Sequence, residues 1–174
     1  TVIVDNVFST PMLQRPMELG ADIVVYSATK HIDGQGRAMG GAILCKQQFI
    51  DDHLNQFMRH TGPSISQFNA WIFLKGLETL DIRVRQACEN ALQIANFLSD
   101  QSGMNRVLYP GLPSHPQYAL AQKQMSGSGT MVTFELAGGK TEAFKFLNAL
   151  EIVDISNNLG DTKSLVTHPA TTTH

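Results

Sequence analysis

The sequence contains few charged residues, no cluster of basic residues and no long apolar run, and these shortages exclude several classes of protein. Charged side chains account for 16% of the 174 residues, and the formal net charge is −2. Nucleic-acid phosphates require clustered Lys and Arg, so no nucleic-acid partner is predicted. The longest apolar stretches, such as residues 23–26, are far too short to span a membrane, so no membrane segment is predicted.

Cysteine is equally scarce, since Cys45 and Cys88 are the two present and they form no CxxC pair. Two distant cysteines favour free thiols in a reducing cytoplasm over a disulfide framework. His168 and His174 are too far apart to form the i, i+4 pair of a helical zinc site. The sequence therefore predicts a cytoplasmic protein without a metal centre.

Both ends of the chain are unusual for a complete protein. The chain begins within an apolar run, T-V-I-V-D at residues 1–5, and stops at T-T-T-H. A buried strand needs neighbours for its ladder hydrogen bonds, and a natural chain rarely starts inside one. We therefore expect the chain to be an internal fragment of a longer protein.

Hydrophobic patterning in the first part of the chain predicts an α/β arrangement. Apolar runs at residues 2–4 and 21–26 lack polar alternation, which predicts buried strands of a parallel sheet that is covered on both faces. Residues 12–19 are predicted as a short helix that ends at Gly20. A glycine-rich loop at residues 34–41 leads into a third predicted strand at residues 41–45.

The middle of the chain predicts helices. Ser64 and Gln67 have the spacing of a capping box at a helix N-terminus. A long helical region is predicted to follow this cap and to end near Gly103. Its apolar residues recur at steps of three and four along one stripe: Leu80, Val84, Ala87, Ala91, Ile94 and Leu98.

The last third of the chain predicts a smaller α/β domain. Residues 131–136 alternate like a half-exposed strand, residues 141–149 are predicted as a helix, and residues 151–155 as another strand. A strand, helix and strand after a long connecting helix indicate a separate unit. We therefore divide the chain into residues 1–104 and residues 105–174.

Polar side chains that follow the first two predicted strands form a candidate functional site. Asp5 ends the first strand, and Ser27, Thr29 and Lys30 follow the second. In an open α/β sheet, ligands bind outside the carboxyl ends of the strands, so both groups should face one crevice. Pyridoxal phosphate (PLP) needs an amine for a Schiff base, an anion opposite its pyridine nitrogen and donors for its phosphate, and these side chains supply all three.

Several ordered motifs resemble one family, the PLP-dependent enzymes of cysteine and methionine metabolism, which have fold type I. V-D-N at residues 4–6 and S-A-T-K-H at residues 27–31 carry the first part of the likeness. M-S-G-S-G followed by T-M-V-T-F-E-L, at residues 125–136, resembles the family's entry into its C-terminal domain. Residues 159–174 resemble its L-G-x-x-x-S-L and H-P-A-x-x-T-H signature, so the likeness extends over essentially the whole chain.

This resemblance implies a fold, a cofactor and roles for individual residues. Residues 1–104 would be the later part of a PLP-binding large domain of the aspartate aminotransferase type, and residues 105–174 part of its small domain. Lys30 would hold the cofactor and act as the catalytic base. Asp5 would bind the ring nitrogen, and Ser27 and Thr29 the phosphate. Asn158 stands where many relatives have a serine that contacts the substrate carboxylate, so it is predicted to bind substrate.

The resemblance also implies a reaction and an assembly. Residues 27–37 and 156–160 are similar to the sulfhydrylase branch, which implies γ-replacement on an activated homoserine ester by sulfide, giving homocysteine for methionine synthesis. Family members are homo-oligomers, here expected to be tetramers, with phosphate-binding residues from a neighbouring subunit. They also use residues from before residue 1 and after residue 174, so the chain alone is expected to be inactive.

Other interpretations remain open at this point. Within the family, a cystathionine γ-synthase or a methionine or cystathionine γ-lyase would use the same lysine chemistry. From another class, the chain could be a non-catalytic truncation that acts only in subunit association. Taken singly, a lysine after a strand is usually a surface charge, and Asp5, Ser27, Thr29 and Asn158 could each be turn or cap residues.

Overall fold

The protein is described by a computed structural model that covers residues 1–172. Thr173 and His174, the last two residues of the predicted H-P-A-x-x-T-H signature, lie outside the described residues. Within residues 1–172, no helix combines the length and the apolar character needed to cross a membrane. Cys45 and Cys88 are both free, as predicted.

The first sheet has three strands and carries the predicted lysine on one of its connections. Its strands are β1 (Ile3–Asp5), β2 (Ile23–Ser27) and β3 (Gly41–Cys45), and they lie in the order β1-β2-β3. β1 is parallel to β2, with Asp5 opposite Val25, while β3 is antiparallel to β2, with Gly41 opposite Ser27. The connection from β2 to β3 therefore begins and ends at the same edge of the sheet.

The prediction of buried parallel strands holds for β2 and is wrong for β1. Val24 in β2 is 1% exposed, whereas Ile3 in β1 is 63% exposed. β2 is the central strand and pairs on both sides, while β1 is an edge strand among the described residues, so patterning alone could not separate them. β3 runs antiparallel because residues 28–40 form no crossover helix, and a parallel pair would require one.

The helix predicted for residues 12–19 is two short helical segments instead. Helix α1 spans Thr10–Leu13, and a 3₁₀ segment spans Pro16–Leu19. Gln14 between them is extended, with φ −145° and ψ 139°. The residue before a proline is disfavoured in the helical region, so Pro16 separates the two segments. Gly20, with φ +100°, ends the second segment as predicted.

Three further helical segments and helix α4 follow β3. α2 (Gln47–Phe49), a π-helical segment (Ile50–Leu54) and α3 (Asn55–Thr61) were not predicted from the sequence. α4 spans Gln67–Leu77, and its N-cap is Ser66, whose hydroxyl accepts a hydrogen bond from the Asn69 backbone nitrogen at 3.1 Å. The predicted cap at Ser64 is wrong by two residues, because Ser66 is the serine whose extended backbone precedes the first helical turn.

The predicted long helix is α5, which spans Leu80–Ser99. Four residues of the predicted apolar stripe are buried, namely Leu80, Val84, Ala91 and Leu98, and they are joined by Ala95, which was not predicted. Ile94 is 48% exposed and does not belong to that stripe, since the adjacent Ala95 occupies the buried face. The helix ends at Asp100, and Gly103, with φ +95°, allows the turn into the next strand rather than ending the helix.

The remaining elements build two small sheets with short helices. β4 (Met104–Leu108) pairs antiparallel with β5 (Thr133–Leu136), which has the predicted alternation, and β6 (Asp154–Ile155) pairs in parallel with β7 (Leu165–Val166). The helices are α6 (Tyr118–Gln124), α7 (Lys140–Asn148) and α8 (Pro169–Thr172). The predicted division at residues 104 and 105 falls inside β4, a strand that the sequence reading did not assign.

A buried cluster joins the long helix to the second sheet. Ala91 and Ala95 of α5 pack with Tyr109 and Leu112, and Val107 of β4 lies against them. The Tyr109 hydroxyl donates a hydrogen bond to the Gly129 carbonyl at 2.9 Å, so the buried ring also has a polar partner. α5 thereby gives the segments after residue 104 a fixed surface to pack on.

Candidate active site

The predicted lysine lies on an irregular turn at the carboxyl end of β2. Residues Ala28–Ile32, here called the Lys30 turn, form one π-helical turn directly after the strand. Lys30 has φ −89° and ψ −122°, which is not a helical conformation, so helical geometry does not fix its backbone. At the start of the turn, the Gly40 carbonyl accepts hydrogen bonds from the backbone nitrogens of Ala28 at 2.9 Å and Thr29 at 3.3 Å. These bonds attach the turn to the residue that precedes β3.

The Lys30 side chain is held by a residue from the far end of the chain. Lys30 Nζ donates a hydrogen bond to Asn158 Oδ1 at 2.8 Å, across 128 residues of sequence. An ammonium group has no acceptor, so the amide must turn its oxygen toward the lysine. Within residues 1–172, Asn158 Nδ2 makes no hydrogen bond, which leaves it free to donate to a substrate carboxylate. Asn158 can therefore orient the lysine in addition to its predicted contact with substrate.

The loop that carries Asn158 is seated closely against the Lys30 turn. The Ser156 hydroxyl accepts a hydrogen bond from the Asn158 backbone nitrogen at 3.2 Å, and the Thr162 backbone nitrogen donates to the Gly34 carbonyl at 2.8 Å. Gly160 lies so near the turn that a Cβ atom there would be 2.5 Å from the His31 backbone nitrogen. Backbone contact at Gly160 thus places Asn158 within reach of Lys30.

Asp5 and Ser27 end neighbouring parallel strands at the edge where the Lys30 turn begins. Asp5 pairs with Val25, two residues before Ser27, and strand alternation puts these side chains on one face of the sheet. Asp5 is exposed, and its Oδ1 atom accepts a hydrogen bond from the Val7 backbone nitrogen at 3.1 Å. Among the described residues, the Ser27 hydroxyl has no hydrogen-bond partner, so it remains available to a ligand.

Thr29 has a structural contact in addition to its predicted role in binding phosphate. Its hydroxyl accepts a hydrogen bond from the Gly40 backbone nitrogen at 3.1 Å and donates to the Gly40 carbonyl at 3.4 Å. The accepting contact is the shorter one, and the donating contact is long for an O–H donor. The proton of Thr29 can therefore turn toward an anion without releasing Gly40.

The arrangement fits the chemistry of PLP. Lys30 supplies an amine next to the carboxyl edge of β1 and β2, Asp5 supplies an exposed carboxylate at that edge, and Ser27 supplies an uncommitted hydroxyl. An amine, an anion and a phosphate donor are the three protein groups that this cofactor requires. The ligand roles of these residues and of Thr29 stay predictions.

A buried ion pair that the sequence reading missed closes the glycine-rich loop. Asp33 is 1% exposed and accepts a hydrogen bond from Arg37 Nε at 2.8 Å. Its other carboxylate oxygen accepts from the backbone nitrogens of Arg37 and Ala38. A buried carboxylate is stable only when its oxygens are satisfied in this way. Residues 33–37, D-G-Q-G-R, lie within the stretch that is similar to the sulfhydrylase branch, but this spacing gives no signal that Asp33 is buried.

His31, next to Lys30, is a second residue that the sequence reading did not single out. It is 4% exposed, and its Nε2 atom lies 2.9 Å from the Thr130 hydroxyl. The pKa of His31 is lowered from 6.5 to about 4, chiefly by burial and to a smaller extent by the nearby charge of Arg83, while a backbone hydrogen bond with Val7 partly opposes the shift. The ring therefore stays neutral near pH 7 and connects the Lys30 turn to the segment before β5.

Comparisons with known proteins agree with this geometry. Residues 1–174 match the family model described as Cys/Met metabolism PLP-dependent enzyme. The chain is 59% identical to O-succinylhomoserine sulfhydrylase of Mycobacterium tuberculosis and 44% identical to L-methionine gamma-lyase of Porphyromonas gingivalis, each over 99% of this chain and 44% of the relative. It therefore spans less than half the length of these curated relatives.

A solved structure gives the same result for the fold. Cystathionine gamma synthase from Xanthomonas oryzae pv. oryzae superposes on this chain with a TM-score of 0.95 at 40% identity. The match covers 99% of this chain and 44% of that chain. The chain therefore has the α/β fold type I architecture that its motifs predicted, within the region common to both proteins.

The low pKa of His31 predicts a pH-dependent loss of stability. In the unfolded state His31 is protonated below pH 6.5, whereas in the folded state it is protonated only below about pH 4. The free energy of unfolding is therefore highest above pH 6.5 and decreases as the pH falls toward 4. The decrease between pH 7 and pH 5 is about 2 kcal/mol. Urea unfolding at several pH values should show a flatter profile for His31→Gln. His60→Gln, at an exposed position, serves as the control, and equal profiles for wild type and His31→Gln would contradict the assignment.

The covalent attachment of the cofactor is predicted at Lys30. Its position after β2 and its contact with Asn158 distinguish it from the other lysines of the chain. Borohydride reduction of the cofactor-loaded protein, followed by peptide mapping, should label the peptide that contains Lys30. Lys46 and Lys75 serve as internal controls, and a label on either of them would show that Lys30 is not the attachment site.

Proposed function

Because the chain belongs to the Cys/Met metabolism PLP-dependent enzyme family, we propose that the whole protein carries out γ-replacement on an activated homoserine ester. The proposed substrates are O-succinylhomoserine and sulfide, and the products are homocysteine and succinate. The observation that carries the chemistry is Lys30 Nζ, held at 2.8 Å by Asn158 at the carboxyl edge of the sheet. The choice of substrates rests on 59% identity to an O-succinylhomoserine sulfhydrylase.

Four side chains are proposed to hold PLP. Lys30 Nζ would be its covalent anchor, the Asp5 carboxylate would accept a hydrogen bond from its protonated pyridine nitrogen, and the hydroxyls of Ser27 and Thr29 would donate to its phosphate. When bound, PLP withdraws electrons from the substrate and so makes its Cα and Cβ protons removable. Asp5 keeps the ring nitrogen protonated, since its carboxylate stabilises the positive charge there.

Lys30 is proposed to move the protons of the reaction. With PLP bound, the free Lys30 Nζ would remove the Cα proton and a Cβ proton of the substrate, and would return both after the replacement at Cγ. The Cγ–O bond breaks as succinate leaves, and the sulfide sulfur forms the new bond at Cγ. Between these steps Asn158 Oδ1 accepts a hydrogen bond from Lys30 Nζ and so holds the amine in one position. Asn158 Nδ2 donates a hydrogen bond to the substrate carboxylate.

The whole protein is also proposed to be a cytoplasmic homo-oligomer, a tetramer, with its active sites at subunit boundaries. Ser27 and Thr29 are few donors for a doubly charged phosphate, which normally also binds an arginine or a helix N-terminus. A neighbouring subunit would supply those groups in a closed assembly. In the same proposal, residues 1–104 are the later part of the cofactor domain and residues 105–174 part of a smaller domain.

The role of Asp5 predicts the effect of one substitution. Asp5→Asn removes the negative charge but keeps the size of the side chain, so the whole protein should still bind PLP. Turnover should fall about a hundredfold or more, because an unprotonated ring withdraws electrons poorly. Steady-state kinetics and the cofactor absorbance of the purified variant give both quantities. Asp52→Asn, at an exposed helical position, is the control, and near wild-type turnover in Asp5→Asn would refute the role.

An assay of the second substrate tests the proposed reaction. The whole protein should form homocysteine from O-succinylhomoserine and sulfide faster than it forms cystathionine when cysteine replaces sulfide. The opposite preference would support a cystathionine synthase, an alternative favoured by 40% identity to a solved cystathionine gamma synthase. Release of a keto acid without any sulfur nucleophile would support a γ-lyase instead. A protein with no imine absorbance after mixing with PLP would support a non-catalytic role in subunit association.

A further inference from the structure

We propose that Arg83 of α5 is a positioning residue for Lys30, because it holds the carboxyl-terminal end of the Lys30 turn. This inference rests on the proposed role of Lys30 and goes beyond the residues that contact cofactor or substrate. Arg83 follows Lys30 by 53 positions and lies on a helix whose sequence pattern indicates packing alone.

Every nitrogen of the Arg83 guanidinium has a partner at the junction of the Lys30 turn and α4. Nη1 donates to the His31 carbonyl at 2.8 Å, and Nη2 donates to the Gly76 carbonyl at 2.8 Å and the Ile32 carbonyl at 3.4 Å. Nε donates to the Thr79 hydroxyl at 3.1 Å. The planar fork thus binds the two residues after Lys30 and the end of α4 together.

Two glycines make room for this arrangement. A Cβ atom on Gly34 would overlap Nη1 of Arg83, and a Cβ atom on Gly76 would overlap the Ile32 carbonyl oxygen. Helix α4 therefore reaches the backbone of the Lys30 turn directly, and the guanidinium fills the space beside Gly34. A side chain at position 76 would push the backbone of the turn away from α4, and a side chain at position 34 would displace the Arg83 guanidinium.

The charge of Arg83 is retained in this setting. Burial lowers the pKa of Arg83, and the neighbouring charge of Arg37 lowers it further, while the carboxylates of Asp33 and Asp161 raise it. A guanidinium nevertheless remains protonated in proteins, so its bonds to the carbonyls are charge-assisted and stronger than neutral ones. Lysine at this position would keep the charge but could not bind several carbonyls in one plane.

The contact matters for Lys30 because it binds the two carbonyls that directly follow the lysine, in addition to the hydrogen bond from the Gly34 backbone nitrogen to the Lys30 carbonyl at 2.8 Å and the His31–Thr130 contact. The φ and ψ of Lys30 are not helical, and Gly40 binds the turn only before Lys30, at Ala28 and Thr29. Arg83 binds the turn immediately after Lys30. A small rotation of the backbone at Lys30 is amplified along the four-carbon side chain and would move Nζ away from Asn158. Displacements of about 1 Å at a reacting group can cost on the order of a hundredfold in rate.

The test compares Arg83→Lys and Arg83→Met with Arg85→Met in the whole, cofactor-loaded protein. Arg85 is the matched control, because it lies on the same helix and, within residues 1–172, its one ion-pair partner is Asp81 at an exposed position. Three measurements are made: steady-state kinetics for kcat and KM, the pH midpoint of the cofactor absorbance change, and the thermal midpoint. Both Arg83 variants should lose on the order of tenfold to a hundredfold in kcat with little change in KM, and their absorbance midpoint should shift. Arg85→Met should match wild type in all three.

The absorbance midpoint separates this inference from the proposed reaction, because it needs no substrate. If the protein proves to use another ester or another sulfur compound, a shifted midpoint in Arg83→Lys still supports the positioning role. A folded Arg83→Lys or Arg83→Met with wild-type kcat and midpoint would overturn it, even if its thermal midpoint falls. If neither variant folds, Thr79→Ala, which removes the acceptor of Nε, decides the matter: a shifted midpoint supports the role and an unchanged one refutes it.

Discussion

The hydrogen bond from Lys30 to Asn158 is the contact on which the candidate site depends. It joins the end of a central strand to a loop 128 residues later, and it needs each segment to be fixed independently. Gly40 and Arg83 fix the turn around Lys30, while Ser156 and the backbone of Gly160 fix the loop around Asn158. A 2.8 Å contact between two flexible side chains is therefore the result of rigid backbone on both sides.

Much of the fold and the candidate site could be predicted because local sequence determines it. β2, β3 and the half-exposed alternation of β5 follow from side-chain periodicity, and structure and sequence agree on their bounds within two residues. The apolar stripe of α5 follows from the same periodicity, although the helix ends at Ser99 rather than near Gly103. The position of Lys30 after β2 follows from strand endings alone. The family model matches residues 1–174, in agreement with the motifs that the sequence carries along its length.

What could not be predicted depends on contacts between distant segments. The antiparallel direction of β3 follows from the path of residues 28–40, which patterning does not encode. Burial of Asp33 and His31, and the fork of Arg83, require knowledge of which helix lies over which turn. Ser64 and Ser66 offer similar caps in the sequence, and only the backbone at the start of α4 separates them.

The packing of Gly160 against His31 has a consequence for how relatives of this protein can diverge. The loop rests on the turn at backbone distance, so position 160 cannot accept any side chain without carrying position 158 away from the lysine. Position 158, in contrast, presents an amide nitrogen without a partner among the described residues. A different side chain there would change which substrate group the site can bind without moving the backbone of the loop. A position that can vary, 158, and a position that must remain glycine, 160, therefore lie two residues apart in one loop.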